Sequence, residues 1–126
     1  MYLNSTFCLL PTGDIPSRKA LFDMLLAGCI PVIFDMRQIN LYNLHIENHE
    51  IENLCYYFDI KTVLLNKLNV VTNLLNIPYQ EIISKRKSIK KIAWKLQYAL
   101  PSNKNNSSYV PPIPDALEII INNLLN

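Results

Sequence analysis

The chain has 126 residues, half of them hydrophobic and 17% charged, with a net charge of +2. This is the composition of one globular domain with a buried core, and it excludes a disordered chain. So small a positive charge makes no electrostatic case for nucleic acid, and no apolar run approaches the roughly 18 residues of a membrane span. The three cysteines are too few for a disulfide scaffold, and the first residues, Met1-Tyr2-Leu3-Asn4, show no charged, signal-like start.

Thr6–Leu10 reads as a short buried strand that ends at Pro11. The turn chemistry of Pro11-Thr12-Gly13-Asp14-Ile15-Pro16 predicts a loop. Ser17 has the chemistry of an N-cap, and Leu21, Met24 and Leu25 then recur at helical spacing. Gly28 suits the left-handed position that closes such a helix. Cys29–Phe34 is a second apolar run, closed by Asp35. Strand, glycine loop, helix and strand make a βαβ unit with parallel strands.

Residues 36–53 are polar and poorly patterned, and Leu54–Phe58 is a third strand candidate. Thr62–Asn76 reads as one helix, and Tyr79–Leu100 as a longer amphipathic one after Pro78. Ile82, Ile89, Ala93, Leu96 and Leu100 form its apolar stripe, with Lys85, Arg86, Lys87, Lys90, Lys91 and Lys95 on the wet face. Residues 101–112 read as a loop, and Pro114 opens a last helix over Asp115–Leu125. The expected fold is α/β: a Rossmann-like βαβ unit with a short parallel sheet, followed by C-terminal helices, in a single domain over residues 1–126.

A loop that leads from a strand into a helix N-terminus is a natural anion site, because first-turn N–H groups are unpaired and the helix dipole is positive there. Gly13 permits close backbone approach, Ser17 offers a hydroxyl, and Arg18 and Lys19 add two cations. Cations at a helix N-terminus oppose the dipole, and an anionic ligand would resolve the conflict. Two solvated surface cations are the plainer reading. Asp23 stands among apolar neighbours and needs a partner if buried. An internal cation such as Arg37, a helix-end group and the vicinal hydroxyls of a sugar all qualify. Phosphate cradle plus hydroxyl acceptor is the pattern of a nucleotide site.

The stretches Asn4–Asp14, Ser17–Asp23 and Ala27–Phe34 resemble exostosin-type glycosyltransferases, most closely the plant xyloglucan galactosyltransferase-like branch. Ile77-Pro78, the basic helix after them and Asp115-Ala116 extend the resemblance. It implies a GT-B fold, with this chain as its donor-binding part. It implies transfer of a sugar from a nucleotide diphosphate to a glycan hydroxyl, with inversion. The UDP-sugar donor is then a substrate, with no cofactor and no metal. Gly13, Ser17 and Arg18 would hold the diphosphate and Asp23 the ribose, while Asp14 gains no role. The catalytic base and acceptor site would belong to an N-terminal half that this sequence does not include, which makes the chain a fragment, a split gene product or a decayed copy. The alternative is a non-catalytic remnant or a subunit that completes another chain's fold. The resemblance also implies a membrane-anchored protein of the Golgi lumen.

Cys8 and Cys29 fall at corresponding ends of the first two strands. They form a disulfide in an oxidising compartment or stay two buried thiols. Cys55 has no evident partner. His45 and His49 stand four apart, beside Glu47 and Glu50, with solvated loop histidines as the plain reading and zinc as the sharper one. Asn4-Ser5-Thr6, Asn105-Asn106-Ser107 and Asn106-Ser107-Ser108 fit the glycosylation acceptor pattern, which arises readily by chance in an Asn-rich chain.

Overall fold

The computed structural model describes residues 2–97 and 114–125. After a 3-10 turn at Tyr2–Asn4 come β1 (Phe7–Leu10), α1 (Lys19–Leu26) and β2 (Ile30–Ile33). Then follow α2 (Arg37–Asn40), α3 (Asn48–Leu54), β3 (Tyr56–Tyr57), α4 (Ile60–Leu64), α5 (Val70–Leu75) and α6 (Tyr79–Ile92). A 3-10 turn at Ala93–Leu96 extends α6, and α7 spans Ala116–Leu125. The expected loop at 101–112, and with it Leu100, Asn105 and Asn106, lies outside the described residues.

The three strands form one parallel sheet in the order β1-β2-β3. β2 is buried along its whole length, as its unbroken apolar run requires. Proline is tolerated in this central strand for a local reason. Ile30 N–H donates to Thr6 toward β1, and the Ile33 carbonyl accepts from Phe58 N–H toward β3. Pro31 shares the β3 side with Ile33, and pairing with β3 begins only at Val32. Its missing N–H therefore breaks no rung of the ladder.

One sheet face carries Cys8, Leu10 and Ile33 into the main core, with Leu21, Met24 and Leu25 of α1 and Ile89 and Ile92 of α6. The other face carries Val32 and Phe34 into a smaller cluster with Leu74 of α5. From β1, Phe7 packs against that cluster, while Leu9 remains 55% exposed.

Helix α1 ends in a Schellman motif. Cys29 N–H donates to Met24 O and Gly28 N–H to Leu25 O, each at 3.0 Å. Gly28 has φ +72°, which only glycine adopts without strain. Immediately beyond it, Cys29 is joined to Cys8 by a disulfide with Cα atoms 6.0 Å apart. Both half-cystines are buried.

The helices depart from the sequence reading in three places. The stretch 36–53 contains α2 and α3, with four and seven residues. Thr62–Asn76 divides into α4 and α5 because Asn66 takes φ +54° between them, a conformation asparagine tolerates better than most residues. Asp59 and Asn69 start the two pieces by accepting the N–H of Thr62 at 2.9 Å and of Thr72 at 3.0 Å. Finally, Lys85 is buried rather than on the wet face of α6. Its ammonium donates to Glu52 O, and to Cys55 O at 3.2 Å, and lies 4.3 Å from the Tyr56 ring centroid. These carbonyls are at the C-terminal end of α3, where a cation favours the helix dipole.

Candidate functional site

In open α/β sheets ligands sit beyond the C-terminal ends of the strands. Here that end is built by the loop 11–18, the start of α1, and the turn from β2 into α2. Gln38 fixes its floor. This side chain is 1% exposed and makes four hydrogen bonds. Its Nε2 donates to Leu10 O at 3.2 Å and Pro11 O at 3.0 Å, and its Oε1 accepts from Phe34 and Asp35 N–H at 3.3 Å. One amide thus ties the last residues of β1 and β2 together.

The start of α1 differs from the expectation for Ser17. Arg18 is the N-cap, with extended backbone and no capping side-chain bond of its own. Tyr42 does the work from 24 residues away: its hydroxyl accepts Arg18 N–H at 3.3 Å and lies 3.4 Å from Ser17 Oγ. The Tyr42 ring meets Phe22 edge-on, with centroids 4.5 Å apart. Ser17 therefore stands just before the cap, exposed, with its hydroxyl beside the site.

Arg18 and Gly13 come together. The guanidinium folds back over Gly13, where no Cβ obstructs it. Arg18 takes no part in the ion pairs found among the described residues. Lys19 does: it pairs with Asp23 one turn later, with Nζ 2.5 Å from Oδ1 and 2.7 Å from Oδ2. So the internal partner of Asp23 is Lys19. Arg37 is engaged with Asp35, at 2.6 Å between Nη2 and Oδ2. That bidentate contact holds the Asp35 carboxyl below the usual carboxylate range. Asp23 is not buried; its side chain is 39% exposed, so it remains open to a ligand's hydroxyls.

Two sizeable cavities lie away from this group. One of about 360 Å³ sits between the end of α1 and α6, and one of about 460 Å³ lies beside Tyr56 and Lys85. The Arg18 site is an open surface at a loop. His49 pairs with Glu47 at 3.3 Å, and no group of three or more metal-ligating side chains occurs among the described residues. No helix there is long and apolar enough to cross a membrane.

Residues 1–87 match the Exostosin GT47 domain. The chain belongs to this family. Its relatives in Arabidopsis thaliana include a probable xyloglucan galactosyltransferase, GT13, 31% identical over 99% of this chain and 26% of its own length. The xyloglucan galactosyltransferase MUR3 is 30% identical over 82% of this chain and 17% of its own. Xyloglucan-specific galacturonosyltransferase 1 is 39% identical over 64% of this chain and 12% of its own. The exostosin-family chain thus spans about a quarter or less of these relatives. No solved structure gives a significant match.

Two residues of the candidate site are not legible in the sequence. Tyr42 lies in a stretch without periodicity, and nothing local links it to α1. Gln38 carries a weak signal after the fact: it is a polar residue one position before Ile39, four after the end of the apolar run Cys29–Phe34.

Proposed function

We propose that this chain is the donor-binding part of a GT-B glycosyltransferase, holding the diphosphate of a nucleotide sugar while the sugar passes to a glycan hydroxyl. The observation that carries this reading is Arg18 over Gly13 at the start of α1. It sets a guanidinium that has no carboxylate partner among the described residues on the loop that opens α1, at the sheet end where α/β proteins bind ligands. The family match and the names of the relatives support glycosyl transfer as the chemistry.

In this reading the acceptor hydroxyl displaces the diphosphate at the anomeric carbon with inversion. Negative charge grows on the leaving diphosphate. Arg18 and the first-turn amides of α1 stabilise that charge, with Ser17 Oγ beside them, and the charge is met by protein groups rather than by a metal ion. Asp23 accepts from the ribose hydroxyls. The base that activates the acceptor comes from a further, N-terminal part of the enzyme. The buried Cys8–Cys29 disulfide fits an oxidising compartment such as the Golgi lumen. A second reading, a non-catalytic subunit that completes another chain, is favoured by the exposure of Leu9 on β1, an outer strand of the sheet.

Calorimetric titration with UDP, UDP-galactose and UDP-glucuronic acid tests the donor reading. Saturable binding that weakens about ten- to a hundredfold in Arg18→Ala is expected, the value of one charge-assisted contact of about 1.5–3 kcal/mol. No binding by the folded chain would overturn it and leave the second reading.

A further inference from the structure

We propose that Asn4 is an N-glycosylation site. The acceptor triplet Asn4-Ser5-Thr6 is complete, with a non-proline middle residue. The fold leaves it accessible. Asn4 is exposed and closes the 3-10 turn Tyr2–Asn4, and β1 begins only at Phe7. Asn4 itself stands outside the sheet, whereas Thr6 O accepts from Ile30 N–H and Ser5 O from Arg86, so the triplet is read before the chain folds.

The second observation concerns the compartment. Cys8 and Cys29 form a disulfide inside the main core, and such bonds form and persist in oxidising surroundings. Oligosaccharide transfer to asparagine takes place in the same kind of compartment, on the entering chain. A chain that closes this disulfide in the secretory pathway has passed the enzyme that reads Asn4-Ser5-Thr6.

The site is also compatible with the proposed donor site and does not depend on it. Asn4 precedes β1, at the N-terminal end of the sheet, whereas Gly13 and Arg18 follow its C-terminal end. Near Asn4 the surface carries the cations Arg86 and Lys90 and two exposed leucines, Leu3 at 80% and Leu26 at 43%. Both line the 360 Å³ cavity beside α6. A glycan at this end leaves the sheet on the side opposite the loop 11–18.

In the transfer, Nδ2 of Asn4 attacks the anomeric carbon of an oligosaccharide carried on a lipid diphosphate. The new N–C bond forms, the C–O bond to the diphosphate breaks, one amide proton is lost, and the lipid diphosphate leaves.

The test is peptide mapping of the full chain secreted from eukaryotic cells behind a cleavable leader, co-expressed with a reporter of known occupancy. Peptide-N-glycosidase in heavy-oxygen water converts an occupied asparagine to labelled aspartate. Label is expected at Asn4 in the tryptic peptide that ends at Arg18, and its loss in both Asn4→Gln and Thr6→Val. Any label at Asn105 or Asn106 persists in these variants. An unlabelled Asn4 beside an occupied reporter overturns the proposal. Because transfer acts on the entering chain, a poorly folding variant still gives a reading.

Discussion

A methyl group built on Gly13 would lie 1.6 Å from Nη2 of Arg18 and 2.7 Å from its Cζ. The two residues are thus complementary: the missing side chain of one is the resting place of the other's guanidinium. Gly13→Ala should evict Arg18 from the loop and leave the sheet intact, since the obstacle is the far end of a flexible side chain. UDP affinity should fall about tenfold or more, with an unchanged circular dichroism spectrum. In the double variant Gly13→Ala/Arg18→Ala the losses should not add, because both act on one contact. Full additivity in calorimetry would show that Gly13 serves something else.

In the proposed donor site, Asp23 is the residue that distinguishes the nucleoside from the phosphates. Its ion pair with Lys19 is a surface pair, with Lys19 84% exposed, and contributes little to stability. Asp23→Asn should therefore leave the melting temperature nearly unchanged. It should weaken UDP about tenfold and leave inorganic pyrophosphate unaffected. Equal weakening of both ligands would place Asp23 on the phosphates, or on Lys19 alone.

Gln38 should matter to stability more than any other buried polar side chain at this end. Gln38→Leu keeps most of the volume and strands the carbonyls of Leu10 and Pro11 and two amides of the β2 end. An unsatisfied buried group costs about 1–3 kcal/mol, so a total loss of about 2–4 kcal/mol is expected. Urea denaturation measures it directly, and a change below about 1 kcal/mol would mean that water replaces the amide.

The βαβ unit was legible in the sequence because its signals are local. Leu9-Leu10 before Pro11, the spacing of Leu21, Met24 and Leu25, and Gly28 after Ala27 each act within a few residues. What stayed hidden acts at a distance or over too short a span. The helix start was assigned to Ser17, but its N–H partner comes from Tyr42. Helices of four and seven residues, such as α2 and α3, barely complete a turn or two and leave no period to detect. Lys85 carries a wet-face pattern on α6, yet the carbonyls at the end of α3 draw it inward. At the site, Gly13 and Arg18 were grouped by sequence proximity, and only the structure supplied their contact.

The alkaline limb of stability should report Cys55. Burial pushes its thiol up to about 11 from the ordinary 9.0, and the nearby Lys85 cation only partly offsets this. Below pH 9 the thiol is protonated in both states. Above it the unfolded chain releases the proton and the folded chain keeps it, so stability is lost as pH rises toward 11. Lys85 has the opposite sign, since burial lowers its pKa and the folded chain sheds that proton first. Tyr56 shares the sign of Cys55, because burial and the Glu81 carboxylate raise its hydroxyl well above the ordinary value, so Cys55→Ala should make the alkaline decline seen by urea denaturation shallower without removing it. An unchanged limb would assign the decline to other groups. At pH 8 the protonated thiol should also resist iodoacetamide until the chain is unfolded.

The bond between Cys8 and Cys29 spans 21 positions and encloses the whole of the loop 11–18 and helix α1. Cys8–Leu10 of the first strand, the loop, the helix and the residues up to Cys29, just before the second strand, are therefore one covalent ring. A protease that nicks the exposed loop at Asp14 or Ile15 cuts the ring once and releases nothing. The cleaved chain keeps its mass by non-reducing electrophoresis and parts into two pieces only when the sulfurs are reduced.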